Sequence, residues 1–280
     1  MSGIRSSETI DAGAFNAFEA AGWEDKAAGY DDFFGRITAR LVDPLLDAAA
    51  VGPDARVLDV ATGPGYAAGR AAERGATVVG VDIAEAMLAI ARRLHPGLEF
   101  RRGDAEALPF ADEAFDAVLG NFLMLHVGRP ELAAAEFARV LAPGGRVALT
   151  VWDVPERMRV LGVFLDAIAD VDAGVPSEIP AGPPHFRFAD DREFVGLLRG
   201  QGLDDVEVRT IAFEHPVRST EELWNGLLAS SVRTAALISG QPDEVKRRIR
   251  AAVDRFAARY AVGTRLELPV SVKLASAGKP

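Results

Sequence analysis

The chain of 280 residues contains no cysteine. This absence excludes disulfide bonds, thiolate nucleophiles and cysteine-ligated zinc, and it is compatible with the reducing cytoplasm, where we expect the protein to reside. Basic residues are in deficit, because 31 lysines and arginines oppose 41 acidic residues and the formal net charge is −10. Such a charge repels a phosphate backbone, so we expect no nucleic-acid partner.

Long apolar runs are also missing. The longest, such as "FLMLHV", are far shorter than the roughly 20 residues that span a bilayer, so we expect no membrane span. The first fifteen residues lack the charged-then-apolar pattern of a secretory signal. Neither an H-x-x-x-H pattern nor a carboxylate cluster accompanies His185 or His215, and we expect no metal site.

What is present between residues 56 and 152 is an alternation of short Val/Leu/Ile-rich strands with alanine-rich helices. Apolar runs bounded by Gly, Asp or Pro are typical of buried parallel strands. The alternation therefore predicts βαβ crossovers, and with them an α/β fold whose parallel sheet carries helices on both faces. With 49% hydrophobic residues, the chain can bury the core of one large domain.

A glycine turn follows the first predicted strand, in the stretch "VLDVATGPGYAAG" (57–69). Gly63 and Gly65 allow the backbone to turn sharply and to approach a ligand closely. The spacing Gly63-x-Gly65-x-x-Ala68 fits a dinucleotide fingerprint, but a turn led by Asp59 fits S-adenosylmethionine equally well. A tight turn without any ligand is the structural alternative.

The next two strands narrow the choice of ligand. Asp82 ends the second strand, where a carboxylate can accept hydrogen bonds from both ribose hydroxyls of either cofactor, or can cap the next helix. The third strand ends at Asp104 and the small Ala105, where a carboxylate can accept the exocyclic amine of adenine. No second glycine-rich half for a dinucleotide follows. An NAD(P)-dependent oxidoreductase therefore remains only as the alternative function.

Taken together, these segments resemble a known family. Asp59 with Gly63 and Gly65, the acid Asp82, and the stretches "GDAEALPF", "FDAVLGNFLMLHV" and "RVLAPGGRVALTVW" are similar in order and spacing to the class I S-adenosylmethionine-dependent methyltransferases. The closest resemblance is to the small-molecule group that includes the ubiquinone and menaquinone biosynthesis enzymes. The resemblance covers about residues 56–152.

The resemblance implies a Rossmann-like, seven-stranded, mostly parallel sheet with helices on both faces, an antiparallel last strand and helical cap elements. The strand-like segment around Pro269 can be that last strand. We divide this one structural domain into an N-terminal helical lid (1–50), a cofactor-binding core (51–152) and a segment (153–280) that completes the sheet. In the last segment we expect two inserted substrate-binding helices, 219–239 and 242–260.

The resemblance also implies S-adenosylmethionine as cofactor. Gly63 and Gly65 would lie against its methionine portion, Asp82 would bind the ribose, and Asn121 with Phe122 would lie beside the sulfonium. The full predicted cofactor set is Tyr30, Asp59, Ala61, Gly63, Gly65, Asp82, Ile83, Met87, Asp104, Ala105, Asn121 and Phe122. Two positions depart from the family pattern, because Ala61 stands where glycine is frequent and Tyr66 where a small or polar residue is frequent.

The predicted reaction is methyl transfer to a small, hydrophobic or aromatic molecule by in-line displacement. His126 is the candidate base, because its segment directly follows Asn121 and a neutral imidazole titrates in the useful range; a packed histidine is the alternative. We expect His185, Phe186 and Trp224 to contact the substrate, although each can equally be a core residue. Apart from that small molecule no partner is predicted, and a homodimer is compatible with the sequence.

Overall fold

The computed structural model describes residues 10–280. Residues 1–9, which begin the predicted lid and hold most of the stretch without a signal pattern, lie outside the described residues. Of the helices between residues 10 and 280, none combines the length and the apolar character needed to cross a membrane.

Eight strands of the described chain form one sheet in the order β3-β2-β1-β4-β5-β8-β6, with β7 paired only to β8. They are β1 (Arg56–Val60), β2 (Thr77–Asp82), β3 (Glu99–Arg102), β4 (Phe115–Asn121), β5 (Leu141–Trp152), β6 (Asp204–Val217), β7 (Ala261–Val262) and β8 (Arg265–Gly278). Strands β1 to β5 pair in parallel, and β8 lies antiparallel between β5 and β6. The predicted mostly parallel sheet with an antiparallel last strand is confirmed, and the eighth strand is the two-residue β7.

Pro269 lies within β8 and does not end it. Along β8, pairing with β5 begins only at Val272, whereas pairing with β6 extends from Leu266 to Gly278. On the β5 side, residue 269 therefore lies beyond the paired part of the strand. Because a proline lacks the N–H that a ladder needs, it is tolerated where one side of the strand has no partner.

Eleven α-helices are present in residues 10–280, together with a few short 3-10 turns. They are α1 (Ala12–Tyr30), α2 (Phe34–Thr38), α3 (Val42–Ala48), α4 (Tyr66–Glu73), α5 (Glu85–Leu94), α6 (Pro130–Val140), α7 (Arg159–Asp170), α8 (Asp191–Arg199), α9 (Thr220–Ser230), α10 (Arg233–Ser239) and α11 (Asp243–Ala257). Alternate strand residues face opposite helix layers: Val57 packs with α3, α4 and α5, whereas Leu58 packs with α6 and α7. Helices therefore cover both faces, as predicted.

The predicted helix 219–239 is broken into α9 and α10. Ser231 has an extended backbone, with φ −122° and ψ 144°, so it ends α9, and α10 begins at Arg233. A helical pattern of apolar residues continues across this point, which is why the sequence predicted one helix. The break directs residues 231–234 toward the carboxyl edge of the sheet, where they help to line a cavity.

Helix α1 crosses that same edge between α5 and α9. The Glu24 carboxylate accepts hydrogen bonds from the backbone N–H groups of Glu85 (2.7 Å) and Ala86 (2.9 Å), which are the first two residues of α5. A carboxylate at a helix N-terminus satisfies free donors and interacts favourably with the helix dipole. On the other side, Gly29 lies directly against the backbone of Ala229 in α9. The N-terminal helix is thus held by both of its neighbours.

The close approach of α1 to α9 predicts that Gly29→Ala destabilises the protein. A Cβ at residue 29 would lie 2.6 Å from the carbonyl oxygen of Ala229 and 2.8 Å from its Cβ. Such overpacking costs about 1–3 kcal/mol, which outweighs the gain of about 1 kcal/mol from replacing a helical glycine by alanine. Urea denaturation should therefore show a lower free energy of unfolding.

The matched control is Gly196→Ala in α8, where an added Cβ meets no atom within 4 Å. This variant should be as stable as the wild type or more stable by up to about 1 kcal/mol, because only the helix propensity changes. If Gly29→Ala and Gly196→Ala increased the stability equally, α1 would not pack as closely against α9 as described here.

Candidate functional site

Asp59 holds the loop after β1 through hydrogen bonds on its buried side. This carboxylate is 1% exposed, and its Oδ2 accepts hydrogen bonds from the Thr62 hydroxyl (2.6 Å) and from the Ala68 backbone N–H (3.0 Å). Burial raises the pKa of Asp59 to about 7. The side chain therefore connects β1 to the start of α4 and shapes the turn from behind.

The same loop has three left-handed residues. Ala61, Gly63 and Gly65 have φ values of 54°, 53° and 84°. Glycine adopts this conformation readily, but in an alanine it costs about 1–2 kcal/mol. The backbone is therefore strained at Ala61, the position where glycine is frequent in the family that the sequence resembles. At Gly65 a Cβ would also come within 3.0–3.2 Å of His95 and Phe100. The sharp turn predicted from the glycine spacing is present.

Asp82, at the end of β2, holds this turn from the front. Its Oδ2 accepts a hydrogen bond from the Gly63 N–H (2.8 Å), and its Oδ1 accepts one from the Ala84 N–H (2.9 Å) at the start of α5. The residue is 7% exposed, and burial raises its pKa to about 6. Because each carboxylate oxygen has a further lone pair, Asp82 can still accept hydrogen bonds from a ligand.

A cavity lies at the carboxyl ends of β1, β2, β4 and β5, beneath α1 and the α9–α10 break. Most of the predicted site residues are among those that line it. These are Tyr30, Ala61, Gly63, Asp82, Ile83, Met87, Asp104, Ala105, Asn121, Phe122, His126 and His185. Residues that the topology brings from six different segments therefore meet in one place.

Four predicted site residues lie outside the lining: Asp59, Gly65, Phe186 and Trp224. Asp59 and Gly65 act within the turn, as described above. Trp224 faces away from the cavity, because its ring stacks on Phe164 of α7 (5.9 Å between centroids) and lies under the guanidinium of Arg250 in α11 (5.2 Å).

Phe186 packs against the main core beside His185, with ring centroids 4.8 Å apart. Of the three predicted substrate residues, His185 is therefore the one that reaches the cavity. Tyr66 is also outside the lining: it begins α4, and its hydroxyl lies beside Gly35.

Side-chain hydrogen bonds and a ring contact hold the end of β4. The Asn121 side-chain amide donates to the Thr38 carbonyl (3.2 Å), and its Oδ1 accepts from the Thr150 hydroxyl (2.7 Å). Phe122 has a φ of 61°, and its ring lies on that of Trp152 with centroids 3.8 Å apart. Strain of this kind persists only where surrounding contacts fix it, and it is frequent at ligand sites.

Tyr30 closes the site from α1. Its hydroxyl hydrogen-bonds with the Thr38 hydroxyl (3.0 Å), and burial raises its pKa to about 12. The ring of Trp23, two turns earlier on the same face of α1, meets Tyr30 edge-on with 5.7 Å between ring centroids. The aromatic side chains of the N-terminal helix therefore form one wall of the cavity.

Several lining residues were missed by the sequence reasoning, chiefly Glu19 and Arg233. Glu19 is 2% exposed, and its Oε2 lies 2.9 Å from the His126 Nδ1. A charged residue in a helical segment normally indicates a solvent-facing position, so the sequence contained no signal for either residue. Among residues 10–280 the lining thus has three carboxylates, Glu19, Asp82 and Asp104, and one guanidinium, Arg233.

Comparison with known proteins matches residues 58–149 to a family model described as "Methyltransferase domain". The demethylmenaquinone methyltransferase of Renibacterium salmoninarum is 41% identical over 111 residues, which are 40% of this chain and 47% of that protein. An uncharacterized protein of Mycobacterium tuberculosis is 34% identical over 171 residues, 60% of each chain. The match covers less than two thirds of the length of each of these curated relatives.

Among solved structures, phosphoethanolamine N-methyltransferase 2 of Haemonchus contortus, in complex with S-adenosyl-L-methionine, aligns with a TM-score of 0.59. The identity is 18%, and the alignment covers 99% of this chain and 61% of that one. At this identity the likeness is one of fold.

The buried Asp59 predicts a specific dependence of stability on pH. Because burial raises its pKa from 3.8 to about 7, the folded state keeps a proton that the unfolded chain loses. This contribution to stability is complete below about pH 4 and is lost as the pH rises to about 7. The substitution Asp59→Asn removes the titrating carboxyl but keeps an oxygen acceptor. Because only the wild type loses this stability as the pH rises, the free energy of unfolding of the variant should increase relative to that of the wild type between pH 4.5 and 7.5. The expected slope is on the order of 1 kcal/mol per pH unit.

Urea unfolding of the ligand-free proteins at several pH values measures this difference. Asp116→Asn is the control, because the Arg56 guanidinium lowers the pKa of the Asp116 carboxyl and its titration lies below that range. Its difference from wild type should stay flat. If the stability difference between Asp59→Asn and wild type also did not change with pH, burial would not raise the pKa of the Asp59 carboxyl.

Proposed function

We propose that this protein transfers a methyl group from S-adenosylmethionine to a small-molecule acceptor, because residues 58–149 match a family model described as "Methyltransferase domain" and the chain resembles the class I S-adenosylmethionine-dependent methyltransferases. The observation that carries the proposal is the charge of the cavity beside the glycine turn. Three carboxylates and one guanidinium line it, so the lining favours a cationic sulfonium.

The same observation argues against the alternative of an NAD(P)-dependent oxidoreductase. In dinucleotide sites the backbone N–H groups of the glycine turn bind the pyrophosphate. Here the Gly63 N–H already donates to the Asp82 carboxylate. A pyrophosphate placed at this turn would meet a negative charge and would lose a donor that it needs.

Within the proposed complex, the cofactor lies along the carboxyl ends of β1, β2 and β4. Asp82 accepts hydrogen bonds from the ribose hydroxyls through its remaining lone pairs, and Gly63 admits the methionine backbone. Asp104 accepts the adenine amine, with Ala105 beside the ring. Asn121 and Phe122 lie next to the sulfonium, and α1, with Tyr30, acts as the lid.

The acceptor is proposed to be small and hydrophobic or aromatic. Rings and alkyl groups supply the remaining walls, among them Trp23, Phe34, Phe122, Trp152 and Leu161. Because relatives named demethylmenaquinone methyltransferase are similar to this chain, a demethylated quinol is a sensible first test compound. The polar residues Glu19, His185 and Arg233 lie outside residues 58–149, so the matched region supplies only part of the proposed acceptor site.

His126 is proposed as the general base. A carboxylate oxygen can only accept a hydrogen bond, so the contact with Glu19 assigns the proton to Nδ1 and leaves a lone pair on Nε2. That nitrogen can remove a proton from the acceptor before transfer. Methyl transfer itself needs the nucleophile, the methyl carbon and the sulfur to be in line, which the hydrogen-bonded end of β4 and the lid promote.

We further propose a cytoplasmic location, because the methyl donor is a soluble metabolite, and a small molecule as the binding partner. Homodimer formation stays a prediction.

Asp82→Asn should weaken the binding of S-adenosylhomocysteine by about ten- to a hundredfold, because the charged acceptor for two ribose hydroxyls is lost. Isothermal calorimetry on the purified protein measures this directly. Asp116→Asn is the control, since Asp116 pairs with Arg56 near the amino end of β4 and should leave the affinity unchanged.

Unchanged affinity in Asp82→Asn would contradict the proposed ribose contact. If NADH changed its fluorescence on binding to the wild-type protein and S-adenosylhomocysteine did not bind, the alternative function of an NAD(P)-dependent oxidoreductase would be supported instead. Thermal unfolding of both variants keeps loss of binding separate from loss of fold.

A further inference from the structure

Four side chains that can exchange protons or hydrogen bonds meet in the part of the cavity roofed by α1 and α10. We call Glu19, His126, His185 and Arg233 the polar cluster. Their positions in the chain lie far apart, yet the rings of His126 and His185 are 6.3 Å apart, and each of the four residues lines the cavity. The proposed cofactor contacts use none of them.

Arg233 is a half-buried cation. One of its terminal nitrogens donates to the Pro183 carbonyl (3.3 Å) and approaches the His185 Nδ1 (3.4 Å), and its guanidinium carbon lies 5.1 Å from the centroid of the Phe15 ring. Among residues 10–280 no direct ion pair with a carboxylate is formed, although the negative charge of Glu19 favours the charged form of Arg233. Burial holds the pKa of Arg233 below its ordinary value. A guanidinium that is partly withdrawn from water is stabilised when a ligand supplies further acceptors for its N–H donors.

His185 adds a second free donor. A guanidinium has only donors, so the contact with Arg233 makes the His185 Nδ1 an acceptor and assigns the proton of the neutral ring to Nε2. Burial lowers the pKa of His185 well below its ordinary value, which keeps the ring neutral. The Nε2 atom is buried and has no hydrogen-bond partner within the described part of the chain.

His126 offers the complementary group. With its Nδ1 proton directed to Glu19, its Nε2 carries a lone pair, and Trp23 holds the ring edge-on at 5.0 Å. The polar cluster therefore presents one proton acceptor, the Nε2 of His126, beside the N–H donors of Arg233 and His185. A group that starts as O–H and becomes O⁻ matches this arrangement, because the acceptor takes its proton and the donors then bind the oxygen.

We propose that the polar cluster recognises an acidic hydroxyl of the acceptor, a phenol or an enol, and that Arg233 and His185 bind the oxyanion formed when His126 takes its proton. This inference rests on the proposed methyl transfer and adds the class of acceptor. The oxyanion then forms a bond to the methyl carbon, the carbon–sulfur electron pair returns to sulfur, and the proton on His126 leaves to water.

Charge balance favours a hydroxyl over a permanent carboxylate. With Glu19 as a carboxylate and Arg233 as a cation, the polar cluster is neutral around a neutral hydroxyl. After proton transfer, the imidazolium of His126 balances the new oxyanion, so the total charge is still zero. A ligand carboxylate would add an uncompensated negative charge next to Glu19 in a buried site.

The test uses 4-nitrophenol, whose anion absorbs in the visible, with the full-length protein saturated with S-adenosylhomocysteine. Below the pKa of the free probe, the bound probe should show the phenolate spectrum. Arg233→Met, which keeps the side-chain length but removes the charge, should weaken binding about tenfold or more and abolish that spectrum. The methyl ether 4-nitroanisole should bind equally to wild type and variant.

Arg255→Met is the matched control, because Arg255 lies on the surface of α11 and pairs with Asp170 (2.6 Å), and it should leave the phenolate spectrum intact. If Arg233→Met does not fold, His185→Phe removes the Nε2 donor while keeping a ring, and it should weaken phenolate binding in the same direction. Calorimetry with S-adenosylhomocysteine confirms that each variant keeps its cofactor site.

Three results would overturn the inference: 4-nitrophenol that does not bind or binds only as the neutral phenol, a phenolate spectrum that survives in Arg233→Met, or tighter, Arg233-dependent binding of 4-nitrobenzoate. The last result would identify the polar cluster as a carboxylate site. A wild-type protein that fails to bind S-adenosylhomocysteine would instead refute the proposed function, so the two failures are distinguishable.

Discussion

The hydrogen bond from the Gly63 N–H to the Asp82 carboxylate organises the whole carboxyl edge of the sheet. It joins the loop after β1 to the end of β2, while the other oxygen of Asp82 binds the start of α5. The start of α5 is in turn bound by Glu24 from α1. One buried carboxylate thus helps to fix the glycine turn, and α1 is bound to the helix that begins beside that carboxylate.

Buried acids are the main electrostatic feature of this edge. Asp59, Asp82 and Glu19 are all nearly inaccessible, and burial raises the pKa values of the first two. Hydrogen bonds from backbone N–H groups and from a hydroxyl partly offset the cost of burying them. A cavity built in this way is prepared for a ligand with positive charge, in keeping with a sulfonium.

The polar cluster and the proposed cofactor side of the cavity are built from different structural elements. The cofactor side is made by loops that follow consecutive parallel strands, which bring their ends to one edge by topology alone. The polar cluster instead depends on two additions: α1, which carries Glu19 across the edge, and the break at Ser231, which turns Arg233 inward. In the proposed complex, the parallel core would hold the cofactor and the added helices would supply part of the acceptor site.

From the sequence alone, the alternation of strands and helices predicted the parallel sheet, and the glycine turn and the acids at strand ends predicted part of the cavity lining, because periodicity and turn chemistry are local. The antiparallel last strand and most of the other predicted site residues came from the family resemblance, and twelve of the sixteen predicted site residues line the cavity. The tertiary structure alone decided that Trp224 faces α7 and α11, that Asp59 lies behind the turn, that Glu19 is buried and that Arg233 lines the cavity. Those outcomes depend on how helices far apart in sequence pack against one another. A charge or an aromatic ring in an amphipathic helix has the same local pattern whether it meets solvent, core or ligand.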